Sequence, residues 1–354
     1  MLEKCFLSMI PQKQLEEIRT YLKKSENPLF LFDDDCDGLC SYLLLKRYTQ
    51  KGKGIILKTS PNLDISFVKK VQEHMPDLVV ILDQPIITQE FIDHVHVPIL
   101  WIDHHPIIKR NGVHHYNPLY EDKKDDRPVS YWCYQVTKKD QWLGVVGSVA
   151  DWHIPEFIDE FMQEYPELLS RKETPEKILF ETNLGKLIKI FSFLLKGKTS
   201  DVYTNITTIN KLETPLELFH QSTPRGKFLY KRFDHMNKAY TTLFHKALAT
   251  KTTDALFLFM YPSTKTSFTK ELANELMYHM QDKIVMIGRE KEEVIRFSIR
   301  SMTIPIDTLV AKAVKGLDGY GGGHRFACGA SITKKDLDIF IKNIKNEIKQ
   351  KRNL

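Results

Sequence analysis

The chain has 354 residues, with 51 Lys and Arg against 45 Asp and Glu, for a formal net charge of +6. That length supplies two or three domains with a sizeable core, and the sequence shows no internal repeat or low-complexity block, which excludes a repeat protein. Its five cysteines (Cys5, Cys36, Cys40, Cys133 and Cys328) are scattered and lack a CxxC pair, which argues against a disulfide framework or a zinc knuckle. They fit a reducing cytoplasm. There is no signal peptide, and no apolar run is long enough to span a bilayer, so no membrane association is expected.

Residues 1 to 27 read as a leading helix, with Leu15, Ile18, Tyr21 and Leu22 at helical spacing. The stretch Pro28 to Lys46 follows, PLFLFDDDCDGLCSYLLLK, and reads as strand, acidic turn and helix. Four carboxylates within five residues at the end of a buried strand repel one another unless a cation sits among them. The alternative is a solvated acidic turn, with Asp37 capping the next helix. Gly38 permits close backbone approach, and Ser41 is placed to bond a phosphate or a ligand carboxylate, or to cap.

Further acids then arrive at equivalent places. Strands are expected at Gly54 to Lys58, Asp77 to Asp83 and Pro98 to Asp103, with helices at Asn62 to Val71 and Thr88 to Val95. Asp83 ends one apolar run and Asp103-His104-His105 another. Asp151 ends a small-residue helix, Trp142 to Asp151, that follows a helix at Pro128 to Thr137. Alternating strands and helices imply an α/β layered, largely parallel sheet, and such sheets bind ligands beyond the carboxyl ends of their strands. Carboxylates mixed with imidazole suit manganese better than zinc. His114 and His115 sit on a short strand whose alternation sends them to opposite faces, and Trp152 reads as a half-buried core indole rather than a base-stacking platform.

From Pro155 to about Lys251 the pattern is helical, with Leu184 to Leu195 and Phe228 to Leu248 clearest, and suggests a connector between two lobes. The second lobe begins near Asp254. Strands are expected at Ala255 to Met260, Lys283 to Gly288 and Val294 to Ser301, with helices at Ser267 to His279 and Ile304 to Val314. The last strand places Arg296, Ser298 and Arg300 on one face. Gly319 to His324 is expected to form a loop whose backbone N–H groups face an anion, with His324 and Arg300 as clamps.

The series Asp33-x-Asp35-x-Asp37-Gly38, Asp83, Asp103-His104-His105 and Asp151 resembles the four motifs of the DHH phosphoesterases. Gly321-Gly322-Gly323-His324-x-x-Ala327-x-Gly329 resembles the signature of the companion DHHA1 domain. The resemblance covers residues 28 to 332 with an unmatched middle, and points toward archaeal RecJ-type exonucleases and the NrnA-type oligoribonucleases. It implies a DHH catalytic domain at 1–154, a helical connector at 155–251 and a smaller α/β DHHA1 substrate-binding domain at 252–354.

The implied activity is a manganese-dependent phosphodiesterase, a single-strand-specific exonuclease releasing mononucleotides from DNA or RNA ends by two-metal hydrolysis, with magnesium as the alternative ion. Asp33 and Asp35 would hold one ion, Asp37, His104 and Asp151 the other, and Asp83 would bridge them. Asp103 would orient the histidine pair, and His105 would face the scissile phosphate. Arg300, Gly321, Gly322, Gly323 and His324 would bind substrate. Some members carry a histidine where Asp33 or Leu31 stands here, and Asp34 has no counterpart. Alternatives are hydrolysis of very short oligoribonucleotides or cyclic dinucleotides, and a replisome-associated scaffold. Single-stranded DNA, RNA or short oligonucleotides are the expected partners, with a replication or repair protein and a homodimer as further associations.

Overall fold

A computed structural model describes residues 10–58, 62–263 and 266–352. The part of the expected leading helix that falls on residues 1–9 lies outside the described residues. Along the chain the first elements are α1 (Gln12–Lys24), β1 (Pro28–Asp33), α2 (Cys36–Thr49), β2 (Lys53–Leu57), β3 (Asn62–Leu63), α3 (Val68–His74), β4 (Leu78–Leu82), β5 (Ile86–Ile87), α4 (Gln89–Asp93), β6 (Ile99–Ile102) and β7 (His114–Tyr116). Helices α5 (Val129–Thr137), α6 (Gln141–Ala150), α7 (Ile158–Glu164), α8 (Pro175–Glu181), α9 (Asn183–Leu194), α10 (Thr199–Ile209), α11 (Pro215–Phe219) and α12 (Pro224–Leu248) follow. The remainder is β8 (Leu256–Pro262), α13 (Thr269–His279), β9 (Ile284–Lys291), β10 (Val294–Arg300), α14 (Asp307–Ala313), β11 (Gly319–His324), β12 (Ala327–Thr333) and α15 (Leu337–Arg352).

These elements form a mixed α/β chain of two compact units, one comprising Met1–Leu195 and Thr199–Tyr230, the other Lys196–Lys198 and Lys231–Leu354. The helices of the 155–251 segment fall in both units, and the division passes through α12.

The first unit is built on a parallel sheet of order β2-β1-β4-β6-β7. Helices cover both faces, so its central strands are apolar on both sides: all five residues of Leu78–Leu82 are buried. Leu29, Leu31, Val79, Ile81 and Trp101 pack on one face with Val68, Val71, Phe91 and Ile92 from α3 and α4. On the other face Phe32 stacks on Tyr42 of α2, with ring centroids 4.5 Å apart. Every residue from Cys36 to Leu45 is buried, because α2 lies between the sheet and helices α5 and α6. The helix expected from Asn62 begins only at Val68, since Asn62 and Leu63 pair with β5 and Asp64 caps a short 3₁₀ turn.

The second unit has a mixed sheet of order β11-β12-β10-β9-β8, with α13 packed against β9 and β10 and α14 against β11 and β12. Gly319–His324, expected as a loop, is a strand that pairs antiparallel with β12. Glycine lowers strand propensity, but a full register with β12 supplies the backbone hydrogen bonds that a loop would leave to water.

Candidate metal centre

Asp33 is the last residue of β1, and the chain turns at once into α2. Asp35, not Asp37, caps that helix, its side chain accepting from the Gly38 N–H at 3.1 Å. The turn is so tight that a Cβ on Gly38 would lie 2.6 Å from the Asp33 carbonyl oxygen. Glycine at this position lets the helix start against the strand it has just left. Asp34 is exposed and belongs to none of the ligand sets described below. Asp37 instead reaches into the interior, where Oδ2 accepts from the Val129 N–H and Oδ1 from the Ser130 N–H, both at 2.8 Å. Its carboxylate thus sits on the N-terminal end of α5, where backbone N–H groups are otherwise unpaired. Ser41 is fully buried, within α2.

Asp83 follows β4 with φ of 56°, in the left-handed region that a non-glycine residue rarely occupies. Such backbone strain clusters where a side chain must be aimed. Asp103 follows β6 and holds His105 twice, through the backbone N–H at 3.1 Å and through Nδ1 at 2.8 Å. With Nδ1–H donating to the carboxylate, the orientation of the His105 ring is fixed by Asp103. His104 is fixed differently from the expectation: its Nδ1 lies 3.1 Å from the Asp126 carbonyl oxygen rather than on Asp103. That bond turns Nε2 inward, 3.5 Å from Asp83 Oδ1 and 3.5 Å from Asp151 Oδ2.

Potential ligand atoms fall into three sets, Asp33-Asp35-Asp83, Asp37-His104-Asp151 and Asp83-His104-His105, each within 4.8 Å of one another. The first set joins Asp83 to Asp33 and Asp35, the second groups Asp37, His104 and Asp151, and Asp83 approaches the second set through His104. A divalent cation fits this donor set. The Asp83 Oδ1 atom is buried without a hydrogen-bond partner among the described residues, which is costly unless something else satisfies it.

Electrostatics agree. Burial, and then Asp37, Asp35, Asp33 and Asp151, push the Asp83 carboxyl well above the usual range. Burial and Asp151 push Asp37 up to about 7, against the opposing pull of His104. Burial alone would depress the His104 imidazolium, yet Asp151, Asp37 and Asp103 hold it above its ordinary value. Carboxylates kept this close without a cation favour protons, and a divalent ion reverses that preference.

The helix expected at Pro128 to Thr137 is α5, but the part that Asp126, Arg127 and the first N–H groups of α5 play in holding the site was not foreseen. Arg127 is buried, donates from Nε to Asp125 Oδ1 at 2.8 Å and also pairs through Nη2 with Asp125. Its guanidinium stacks over Trp132, 4.5 Å from the ring centroid, and Nη1 donates to the Tyr131 hydroxyl, which in turn donates to Glu156. Asn117 donates to the His105 carbonyl at 2.9 Å and accepts from the Leu119 N–H. An acid and a base two residues apart, Asp125 and Arg127, were the only available signal.

His114, His115 and Trp152, which the sequence did not assign to the site, pack against aromatic neighbours. His114 bonds the Tyr21 hydroxyl at 2.9 Å, and His115 stacks on Trp101 at 3.8 Å between centroids, with burial pushing it down to about 4. Trp152 lies edge-on to Phe180.

In the second unit Arg300 and His324 both register on Ala327 from opposite sides of β12, so they share one sheet face. Arg300 is already engaged, donating to Asn274 Oδ1 at 2.6 Å and to the Ile299 and Cys328 carbonyls at 3.0 and 3.1 Å. Burial lowers its guanidinium to about 10. Gly321 is crowded by Val310 and Val314, and Gly323 has φ of 145° with a Cβ position 2.5 Å from the Ala327 carbonyl oxygen. A Cβ on Gly322 would meet nothing within 4 Å.

Residues 254–350 match the family model described as the DHHA1 domain. No curated protein matches the chain. Among solved structures, RecJ from Thermus thermophilus in complex with Mn²⁺ aligns with a TM-score of 0.71 at 15% identity, covering 96% of this chain and 55% of that one. This chain therefore spans little more than half of that RecJ. An exonuclease RecJ bound to manganese aligns at 0.58 and 15% identity, covering 95% of this chain and 94% of that one. A DHH domain from a member of the s1p family of ribosomal proteins aligns at 0.64 and 14% identity, covering 95% and 89%. The chain has a RecJ-like fold, and its residues 254–350 match the DHHA1 domain.

Proposed function

We propose that the chain is a manganese-preferring phosphodiesterase that hydrolyses single-stranded nucleic acid from an end and releases mononucleotides. What carries this reading is the convergence of Asp33, Asp35, Asp37, Asp83, His104 and Asp151 around the buried, unsatisfied Asp83 Oδ1 atom. These six residues would hold two divalent ions, Mn²⁺ or Mg²⁺. When bound, such ions would supply water activation near neutral pH and charge neutralisation at the phosphoryl oxygens.

The protein's own contribution lies in placement. Asp103 holds the His105 ring by a Nδ1–H bond and would stabilise its doubly protonated form, in which the imidazolium could offset charge on the phosphate or give a proton from Nε2. The Asp126 carbonyl orients His104, leaving its Nε2 as the ligand atom. In the DHHA1 domain, Gly322 leaves open backbone beside exposed His324, which suits contact with a nucleotide end. Arg300 serves this reading through the strand it ties down more than through a free fork. The 155–251 helices remain the proposed connector between the DHH and DHHA1 domains.

Digestion of end-labelled single-stranded DNA and RNA ladders with Mn²⁺ tests the proposal. Mononucleotide release by the wild-type chain, absent in Asp83→Ala, is the expected result. If long strands persist while dimers to pentamers disappear, the enzyme is an oligoribonuclease instead. No cleavage of any substrate with any divalent ion refutes the catalytic reading and favours a scaffold.

A further inference from the structure

A second feature of the first unit is unused by the metal chemistry. Beside β2, the edge strand of the parallel sheet, lies a cleft of about 760 Å³. Its lining includes four lysines, Lys46, Lys53, Lys58 and Lys70, and neither Asp nor Glu. Two partly exposed rings stand among these amines, Phe67 under the Lys70 amine at 4.8 Å and Tyr203 from α10, over the buried Phe32–Tyr42 stack; Lys46 and Lys58 also donate to the Gly52 and Leu195 carbonyls. Two planar polar groups of the wall, the His74 ring at Nδ1 and the Asn210 amide at Oδ1, have no hydrogen-bond partner among the described residues.

Position strengthens the case. The cleft follows β2 from Lys53 to Lys58, and Asp33, a member of the metal cluster, registers on Leu57 at the carboxyl end of that strand. A five-residue strand spans roughly 16 Å. The groove therefore runs alongside the sheet and ends beside the strand tip that carries the acidic cluster. Its positive lining contrasts with that cluster and accounts for where part of the net basic charge is spent.

An added polypeptide strand fits the edge poorly. The Gly52 carbonyl, just before β2, already accepts from Lys46 Nζ at 2.8 Å, and Tyr203, Ile206 and Thr207 of α10 line the same cleft as β2. Side chains of the cleft itself thus crowd the edge that strand addition would need. Amines for phosphates interleaved with rings for base stacking are what a single strand of nucleic acid requires.

We propose that this β2-edge cleft is a binding track for single-stranded nucleic acid, which holds the strand beyond the nucleotide being cleaved. It rests on the functional reading above, yet it can fail separately. Binding is therefore measured without hydrolysis, in EDTA, as the fluorescence anisotropy of a 5′-fluorescein oligo(dT) 15-mer with the full chain.

The double variant Lys53→Glu/Lys70→Glu is expected to weaken binding at least tenfold and to reduce the slope of log K against log salt by about 1.4, since each phosphate that is no longer neutralised on a single strand lowers that slope by about 0.7. Tyr203→Ala, which changes no charge, is expected to weaken it about fivefold or more. Thermal melting confirms that each variant is folded. If the charge variant weakens binding while Tyr203→Ala stays within twofold of wild type, the lysines act only by long-range steering and the track is refuted. Binding unchanged in both variants also overturns it and leaves the groove to a polypeptide partner. Loss of binding in both, in a protein that cleaves nothing, sustains the track and refutes only the catalytic reading.

Discussion

Withdrawing divalent ions at rising pH should destabilise the first unit, with Asp37 contributing alongside Asp83 and His104. The Asp37 carboxyl is pushed from 3.8 up to about 7, first by burial and then by Asp151. An acid whose folded value is raised lends stability that is complete below its unfolded value and is lost as pH rises through the folded one. Between pH 5 and pH 7 that is two pH units, or about 2.7 kcal/mol, and above pH 7 the loss levels off. His104, held above its ordinary value, loses its contribution in the same direction as pH rises through the neutral range.

For a unit of this size about 2.7 kcal/mol corresponds to roughly 5–11 °C in Tm. Melting by calorimetry in EDTA at pH 5, 6, 7 and 8 measures it, with a parallel series in excess Mn²⁺. The EDTA series should fall with pH, and the Mn²⁺ series should rise, because ligation requires the deprotonated acids. Asp37→Asn should make the fall of the EDTA series shallower, leaving the part due to Asp83 and His104, at the cost of one of the two acceptors that meet Val129 and Ser130. An EDTA series that is flat or rises, or an Asp37→Asn series with the wild-type slope, would refute the reasoning.

Three further outcomes are expected. Gly38→Ala adds a Cβ 2.6 Å from a backbone carbonyl oxygen; the gain in helix propensity, at most about 1 kcal/mol, is outweighed by about 1–3 kcal/mol of overpacking, so Tm should fall and Mn²⁺ affinity by calorimetric titration with it. Arg127→Met leaves Asp125 buried and unpaired, with an expected loss of about 3–5 kcal/mol in denaturant unfolding; Mn²⁺ affinity should fall about 10–100-fold, because the same segment holds His104 and Asp37. Gly322→Ala should leave Tm unchanged, since its Cβ meets nothing, while weakening oligonucleotide binding, whereas Gly323→Ala should lower Tm by strain at φ of 145°. Equal Tm losses in the two glycine variants would count against a ligand-facing role for Gly322.

Much of this protein can be read from the chain itself. Parallel strands covered on both faces must be apolar throughout, so each one reads as a short run, and the acid that ends it stands out because nothing in a buried strand tolerates it. For that reason Asp33, Asp83 and Asp103 mark the strand tips in the sequence alone. The sheet topology then brings residues as distant as Asp37 and Asp151 to one place.

Other features needed the tertiary fold because their signal is not local. The glycine run looked like a loop since glycine disfavours strands, and only the register with β12 reveals otherwise. Arg300 looked free until Asn274, on another element, took its fork. The bond from His104 goes to a backbone carbonyl, which any residue at position 126 would supply and which no side-chain pattern encodes. The β2-edge cleft gathers Lys53 and Tyr203 across 150 positions of chain, a proximity set by packing rather than by sequence spacing.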